Sequence, residues 1–289
     1  MSFVLNSIQD CHEEFMLTCE TKNLANRTIE YYQECYQLFS NIVDVESSID
    51  TISNKTIKQF IVWLQKNTNS NANSINARLR GVRTFLNYCY EMEYINKVKV
   101  PMLKVDKEQK EPYTKEEIAK LLSLSKNPRF TEYRNYCMVA TFIATGIRLN
   151  TLINLKVEDI DLETNTIKLT TTKNRKVQYL PMPTKLAVIL SRYIKRVNPT
   201  TYLFESRQGT QLTDDAIKNA IAKYNRSKGV EKTSIHLFRH TFAKNYLLNG
   251  GDVFKLQKML GHSTLDITKN YVNLYCTDLR EDVDSICML

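Results

Sequence analysis

A chain of 289 residues with 43% hydrophobic and 25% charged side chains has the composition of a folded globular protein, and its length suits two domains better than one. The net charge of +9 suggests a polyanionic partner, though the total alone fits a membrane surface or mere solubility about as well. With no apolar run near the roughly 18 residues that cross a bilayer, no signal-peptide pattern at the start, and seven scattered cysteines without a C-x-x-C pair, a soluble cytoplasmic protein with reduced thiols is expected, with no membrane contact.

Up to about residue 95 the apolar residues recur at helical spacing in four stretches, roughly 8–21, 27–42, 54–66 and 72–95, separated by Asn- and Ser-rich connections. A helical domain over 1–95 follows. The third stretch keeps its period through Ile57, Phe60, Ile61 and Leu64, with Trp63 expected in the core. In the fourth, Arg78, Arg80 and Arg83 sit opposite Leu79, Val82 and Leu86, so one face can pack while the other meets an anion. Charge is segregated. Residues 1–54 carry two basic side chains (Lys22, Arg27) against nine acidic, whereas 55–105 carry nine basic against two acidic (Glu91, Glu93). One cationic face is the electrostatic footprint of a protein lying along a nucleic-acid backbone. Lys55, Lys58, Arg78, Arg80 and Arg83 are the candidate phosphate contacts, a plain solvated face being the alternative.

Residues 96–113 are charged, interrupted by Pro101 and Pro112, and read as an extended linker. The second domain then spans 114–289. Thr114-Lys115-Glu116-Glu117 has the capping-box pattern, a hydroxyl for the third residue's N–H and a carboxylate that reaches back. An apolar helix over 131–145 ends at Gly146 and a short one follows over 149–156. The period then changes to two. Residues 161–169 and 177–181 read as strands around the polar turn 172–176, giving a small antiparallel sheet with a basic tip that holds Lys173 and Lys176. A brief strand-like stretch lies at 202–204, and helices are expected at 184–197, 213–226, 235–249, 252–260, 265–274 and 278–287. The fold class is mainly α with a small antiparallel β-sheet in the second domain.

Three segments carry chemistry-bearing groups. Thr145-Gly146-Ile147-Arg148 sets an arginine just past a helix-ending glycine, which a simple cap would also explain. His236 and Arg239 lie three apart near a helix start, where they share a face and the N-terminus favours anions, though surface pairs of this kind are common. Leu260-Gly261-His262 follows another helix, Gly261 suiting a left-handed stop, with Tyr271 on the helix beyond. No Asp/Glu grouping accompanies these motifs, and His236 and His240 lack the glutamate expected between paired metal ligands, so a metal-built site is not expected.

Taken in order, Thr-Gly-x-Arg at 145–148, a hairpin lysine before Val-x-x-Leu-Pro at 177–181, His-x-x-Arg-His at 236–240 and Leu-Gly-His followed by Tyr at 260–271 resemble the tyrosine recombinase (phage integrase, Xer-like) family over about 113–280. The helical front end resembles that family's core-binding domain. The resemblance implies a C-shaped two-domain clamp on double-stranded DNA that cuts and rejoins strands through a 3′-phosphotyrosine, with no cofactor. It assigns Arg148 and Arg239 to the phosphate oxygens, Tyr271 as nucleophile, His236 as proton acceptor, Lys173 as donor to the departing 5′ oxygen, with Lys176 its competitor, and His262 as a further hydrogen-bond donor. Thr151 stands where the family often has an acidic residue. Also implied are a homotetramer on paired sites, a monomer or weak oligomer without DNA, and docking of the apolar-striped 278–289 segment on a neighbouring protomer, packing on its own domain being the alternative. A type IB-like topoisomerase and a DNA-binding protein whose chemistry has lapsed are the rival classes.

Overall fold

Serine and asparagine side chains set where three of the first four α-helices begin. In the computed structural model, which describes residues 7–105, 111–170 and 177–261, the chain divides into two units at about residue 108. The first holds α1 (Ile8–Thr21), α2 (Asn26–Phe39), α3 (Asn54–Asn67) and α4 (Ala72–Glu91). Ser7 and Ser53 form reciprocal capping boxes with Asp10 and Thr56, and Asn71 accepts from the Ser74 N–H, satisfying donors that the first helical turn leaves open. One cluster built from Ile8, Phe39, Ile57, Phe60, Leu64, Leu79 and Leu86 fills the centre of the bundle.

Two stretches are shorter than their apolar patterns. The pattern at 72–95 outruns α4 because Glu93 takes a left-handed turn (φ 63°), after which Ile95 still buries its side chain against the bundle. Likewise α2 stops at Phe39 while Ile42 and Val43 continue to pack. Trp63, expected in the core, is half-buried: it stacks near Phe60 and lines a cleft of about 550 Å³ with Lys55, Lys58 and Lys66. Nor is the chain after residue 95 an open tether. Val98, Val100 and Met102 pack on the bundle, the Asn76 amide exchanges two hydrogen bonds with the Leu103 backbone (3.0 and 2.8 Å), and the Arg83 guanidinium donates to the Val100 carbonyl. An alternation of two runs through 98–102, too short to stand out among the charges.

The second unit contains α5 (Lys115–Leu121), α6 (Phe130–Thr145), α7 (Leu149–Ile153), β1 (Ile160–Asp161), β2 (Thr166–Leu169), β3 (Gln178–Pro181), α8 (Thr184–Val197), α9 (Asp214–Ser227), α10 (Ile235–Leu248) and α11 (Val253–Leu260). The Thr114–Glu117 capping box forms as its residue types predict. α6 buries residues on every side, from Tyr133 through Met138 to Phe142, which makes it the central helix, packed against α8, α9 and α10. The sheet runs β1-β2-β3, all antiparallel, with Ile167 opposite Leu180 inside and Lys168 opposite Tyr179 outside. The single strand expected at 161–169 is two. Asp161 Oδ1 accepts from the N–H groups of Glu163 and Thr164, a local turn that Asn165 completes at φ 53°, and Leu162 is left exposed. The stretch 202–204 makes one isolated bridge, Tyr202 to Lys156, instead of a strand. The turn 172–176 and the helices expected after 265 lie outside the described residues. No helix among the described residues is long and apolar enough to cross a membrane.

His12, on α1, is an unexpected member of the first core. It is 3% exposed and stacked on Tyr36 at 3.5 Å between ring centroids, and burial lowers its pKa from 6.5 to about 4. The unfolded chain therefore takes up a proton near pH 6.5 that the folded bundle refuses until about pH 4, so stability present above 6.5 falls away as the solution is acidified through that window. Between pH 7.5 and 5 the first unit should lose about 2 kcal/mol from this group, and His12→Phe, which keeps a ring on Tyr36, should remove that loss. Urea unfolding of the full chain, followed by hydrogen exchange of α1 and α2 amides at both pH values, measures it; equal acid sensitivity in both proteins contradicts the assignment.

Candidate active site

The site forms where two chain reversals meet α10. α6 ends at Gly146, whose left-handed conformation (φ 62°) turns the chain so that Arg148 becomes the residue preceding α7. α11 ends in the same way at Gly261 (φ 61°). Between them α10 packs along α6, with Phe238 stacked between Phe142 and Tyr113 at 5.8 and 4.4 Å. Tyr113 is held further by its N–H on the Thr241 hydroxyl (2.9 Å) and by its own hydroxyl on the Lys232 carbonyl (3.1 Å). α10 is thus fixed on two sides, and burial pushes the Tyr113 pKa well above its ordinary value.

Arg239, on α10, is 4% exposed, and its guanidinium donates to the Gly146 carbonyl at 2.8 Å and the Leu260 carbonyl at 2.6 Å. Arg148 donates to the next carbonyl, that of Gly261, at 3.1 Å. Two arginines far apart in sequence therefore converge on adjacent peptide groups at the end of α11. A buried guanidinium needs such partners, since an uncompensated charge away from water costs several kcal/mol. The last carbonyls of a helix need donors, and they carry the negative end of its dipole. Each side supplies what the other lacks.

His236 is exposed on the first turn of α10, its ring 4.9 Å from that of His240 and edge-on to it. Thr151 is 8% exposed on α7 and brings no charge there. Lys173, Lys176, His262 and Tyr271 lie outside the described residues. Among the front-end candidates, Arg78 pairs with Glu34 at 3.2 Å and Arg83 holds the Val100 carbonyl, while Lys55, Lys58 and Arg80 are exposed. Among the described residues no group of three or more His, Cys, Asp or Glu side chains stands close enough to hold a metal ion. Two contributors escape a reading of the motifs. Tyr113 is the last residue of the expected linker and gives no local sign of its stack on α10. Gln178 opens β3, and its amide nitrogen donates to the Lys258 and Met259 carbonyls (2.6 and 3.1 Å) at the end of α11.

The second unit is thus mainly helical with a three-stranded sheet, and it gathers two arginines at one helix end. Residues 112–277 match the phage integrase family, and residues 12–96 match its N-terminal SAM-like domain. Similar proteins include the tyrosine recombinase XerD of Staphylococcus saprophyticus, 26% identical over 273 residues that cover 90% of this chain and 92% of the relative. Among solved structures, the Tn1549 transposon integrase in complex with transposon right end DNA aligns with a TM-score of 0.80 at 18% identity, covering 97% of this chain and 99% of that one. A lambda integrase tetramer bound to a Holliday junction aligns with a TM-score of 0.73 at 12% identity, covering 93% of this chain and 78% of that one. The chain belongs to the phage integrase family and is a tyrosine site-specific recombinase.

Gly146 is required twice over. A side chain there must adopt a left-handed conformation, and its Cβ would lie 2.6 Å from Phe242 Cδ1 and 3.0 Å from Leu260 Cδ2. Gly146→Ala should therefore cost about 2–4 kcal/mol, combining the backbone strain with overpacking. Urea denaturation of the second unit's transition reads this, and a loss below about 0.5 kcal/mol, the size of a neutral surface change, would show the close packing to be dispensable.

Proposed function

We propose that the protein exchanges DNA strands at specific sites by forming a transient covalent bond between Tyr271 and a 3′ phosphate. The observation that carries this reading is the convergence of Arg148 and Arg239 on neighbouring carbonyls. Groups that already hold neutral oxygens at 2.6–3.1 Å are placed to hold the non-bridging oxygens of a phosphate, which offer full charge and a bidentate match to guanidinium.

In this mechanism the Tyr271 oxygen attacks phosphorus and the bond to the 5′ oxygen breaks. The phenol, with an ordinary pKa of about 10, passes its proton to His236, while Lys173, or Lys176 beside it, protonates the departing 5′ oxygen. His262 adds a hydrogen bond to the phosphoryl group. Charge that builds on the phosphoryl oxygens is met by the two arginines. One phosphoester is exchanged for another, so attack by a new 5′ hydroxyl rejoins the strand with no ATP, and arginines and lysine supply the charge that a metal ion would. Exchange of two strands in turn passes through a Holliday junction, for which four protomers on paired sites are required, the segment 278–289 docking on a neighbour. This assembly acts in the cytoplasm. Lys55, Lys58 and Arg80, being exposed, contribute phosphate contacts, and Arg78 and Arg83 do so only by giving up Glu34 and Val100. Affinity should then fall steeply as salt rises.

Denaturing recovery of covalently bound DNA from cells that express the protein, followed by sequencing, tests the reading and yields the cleavage site. Tyr271→Phe is expected to bind the recovered sequence normally and form no adduct. Arg148→Ala and Arg239→Ala should each lower adduct formation by roughly 10²-fold or more. An adduct that survives in Tyr271→Phe overturns the assignment of the nucleophile, and relaxation of a supercoiled plasmid lacking the recovered site would assign the chain to the topoisomerase class instead.

A further inference from the structure

Four consecutive carbonyls at the end of α11, those of Lys258, Met259, Leu260 and Gly261, accept hydrogen bonds from side chains on three separate elements. Arg239 and Arg148 supply two of these bonds. The other two come from one group, the Gln178 amide at the first position of β3, which uses both of its hydrogens, one on Lys258 and one on Met259. Gln178 and Arg148 also flank the same glycine: a Cβ at Gly261 would lie 3.0 Å from Gln178 Oε1 and 3.5 Å from Arg148 Nη1. The sheet and the phosphate-binding arginine are thus joined through a single corner of backbone, the last described point before the chain runs on to His262 and Tyr271.

We propose that Gln178 is a positioning residue for strand cleavage: by pinning the start of β3 to the end of α11, it fixes the Gly261 corner against which Arg148 is oriented. This rests on the roles given above to Arg148, Arg239 and Tyr271. Only a donor can do it. Both partners of the Gln178 amide nitrogen are carbonyl oxygens, and an acceptor in the place of that nitrogen would repel them. Arg239, anchored at both Gly146 and Leu260, keeps the helix end attached when Gln178 is lost. What goes is accuracy and not the fold, and reacting groups displaced by about 1 Å slow a reaction by up to about 10²-fold.

The test compares Gln178→Glu, of the same shape but without a donor, with Gln178→Lys, which restores one. A nicked duplex bearing the sequence recovered by covalent trapping is mixed with excess protein, and adduct formation is timed in a single turnover while binding is followed by mobility shift. Gln178→Glu should bind within about twofold of wild type yet form adduct about tenfold or more slowly, and Gln178→Lys should recover most of the rate. Should Gln178→Glu fail to fold, Gln178→Ala takes its place against the same lysine variant. A wild-type rate in the donor-less variant, or an equal loss in both variants, overturns the proposal alone. Absence of adduct from the wild-type protein on this duplex overturns it together with the reading of Tyr271.

Discussion

The second unit is organised around an exchange between buried guanidinium groups and the ends of helices. Arg239 is 4% exposed, and the Gly146 and Leu260 carbonyls turn toward it. Those carbonyls are available only because both helices stop at left-handed glycines. Charge-assisted bonds of this kind contribute roughly 1.5–3 kcal/mol each, and removal of one side strands the other without water. The arrangement is therefore stable when complete and costly when partial, which explains why so many main-chain and aromatic contacts converge on α10.

Those contacts hold the arginine by holding its helix. Tyr113 stacks on Phe238 and binds Thr241 one turn further along α10, while Phe142 closes the other side from α6. A residue that directly follows the proline of an apparent linker thus belongs to the support of the site. Asn225 extends the support by donating to the Tyr113 hydroxyl and to the Lys232 carbonyl. The donors here, the Tyr113 N–H and the Asn225 amide nitrogen, are held by protein partners, and contacts of this sort restrict how far α10 can shift against its neighbours.

Periodicity was sufficient for most helices and for the sheet, since a core-facing stripe is written locally. Where it misled, the deciding contact was distant or turned on one residue. Leu162 continued an apparent alternation, yet Asp161 and Asn165 close a turn around it and split the strand. Trp63 was large and apolar but sits at the rim beside three lysines, where an indole can cover stems and still meet water. The segment after residue 95 looked open because Asn76 and Arg83, which fasten it, lie a helix away. At the site, glycine at 146 and 261 forecast both helix stops. Gln178 had no such signal, because its value depends on carbonyls some eighty residues onward, and a carbonyl leaves no mark in a sequence.

The chain's cations differ in what they hold, though not strictly by residue type: Lys228 and Lys232 pair with Glu132 and Glu117, and Arg80 is exposed. Arginines that need a defined geometry are committed to protein oxygens, Arg148 and Arg239 on carbonyls, Arg78 on Glu34 and Arg83 on Val100. Lys55 and Lys58 stay exposed on α3, in the half of the first unit where basic residues outnumber acidic. The distinction follows from hydration. A guanidinium is weakly hydrated and planar, so it tolerates burial when its fork is filled, whereas an ammonium is strongly hydrated and keeps its freedom at the surface. Under the proposed function, long-range attraction for a polyanion would reside in exposed side chains such as Lys55 and Lys58, and local orientation of one phosphate in Arg148 and Arg239, which also hold protein oxygens. On that proposal, substitutions in the first set change how tightly DNA is held and how strongly salt competes, whereas substitutions of Arg148 or Arg239 touch stability as well, because their nitrogen atoms hold helix-end carbonyls.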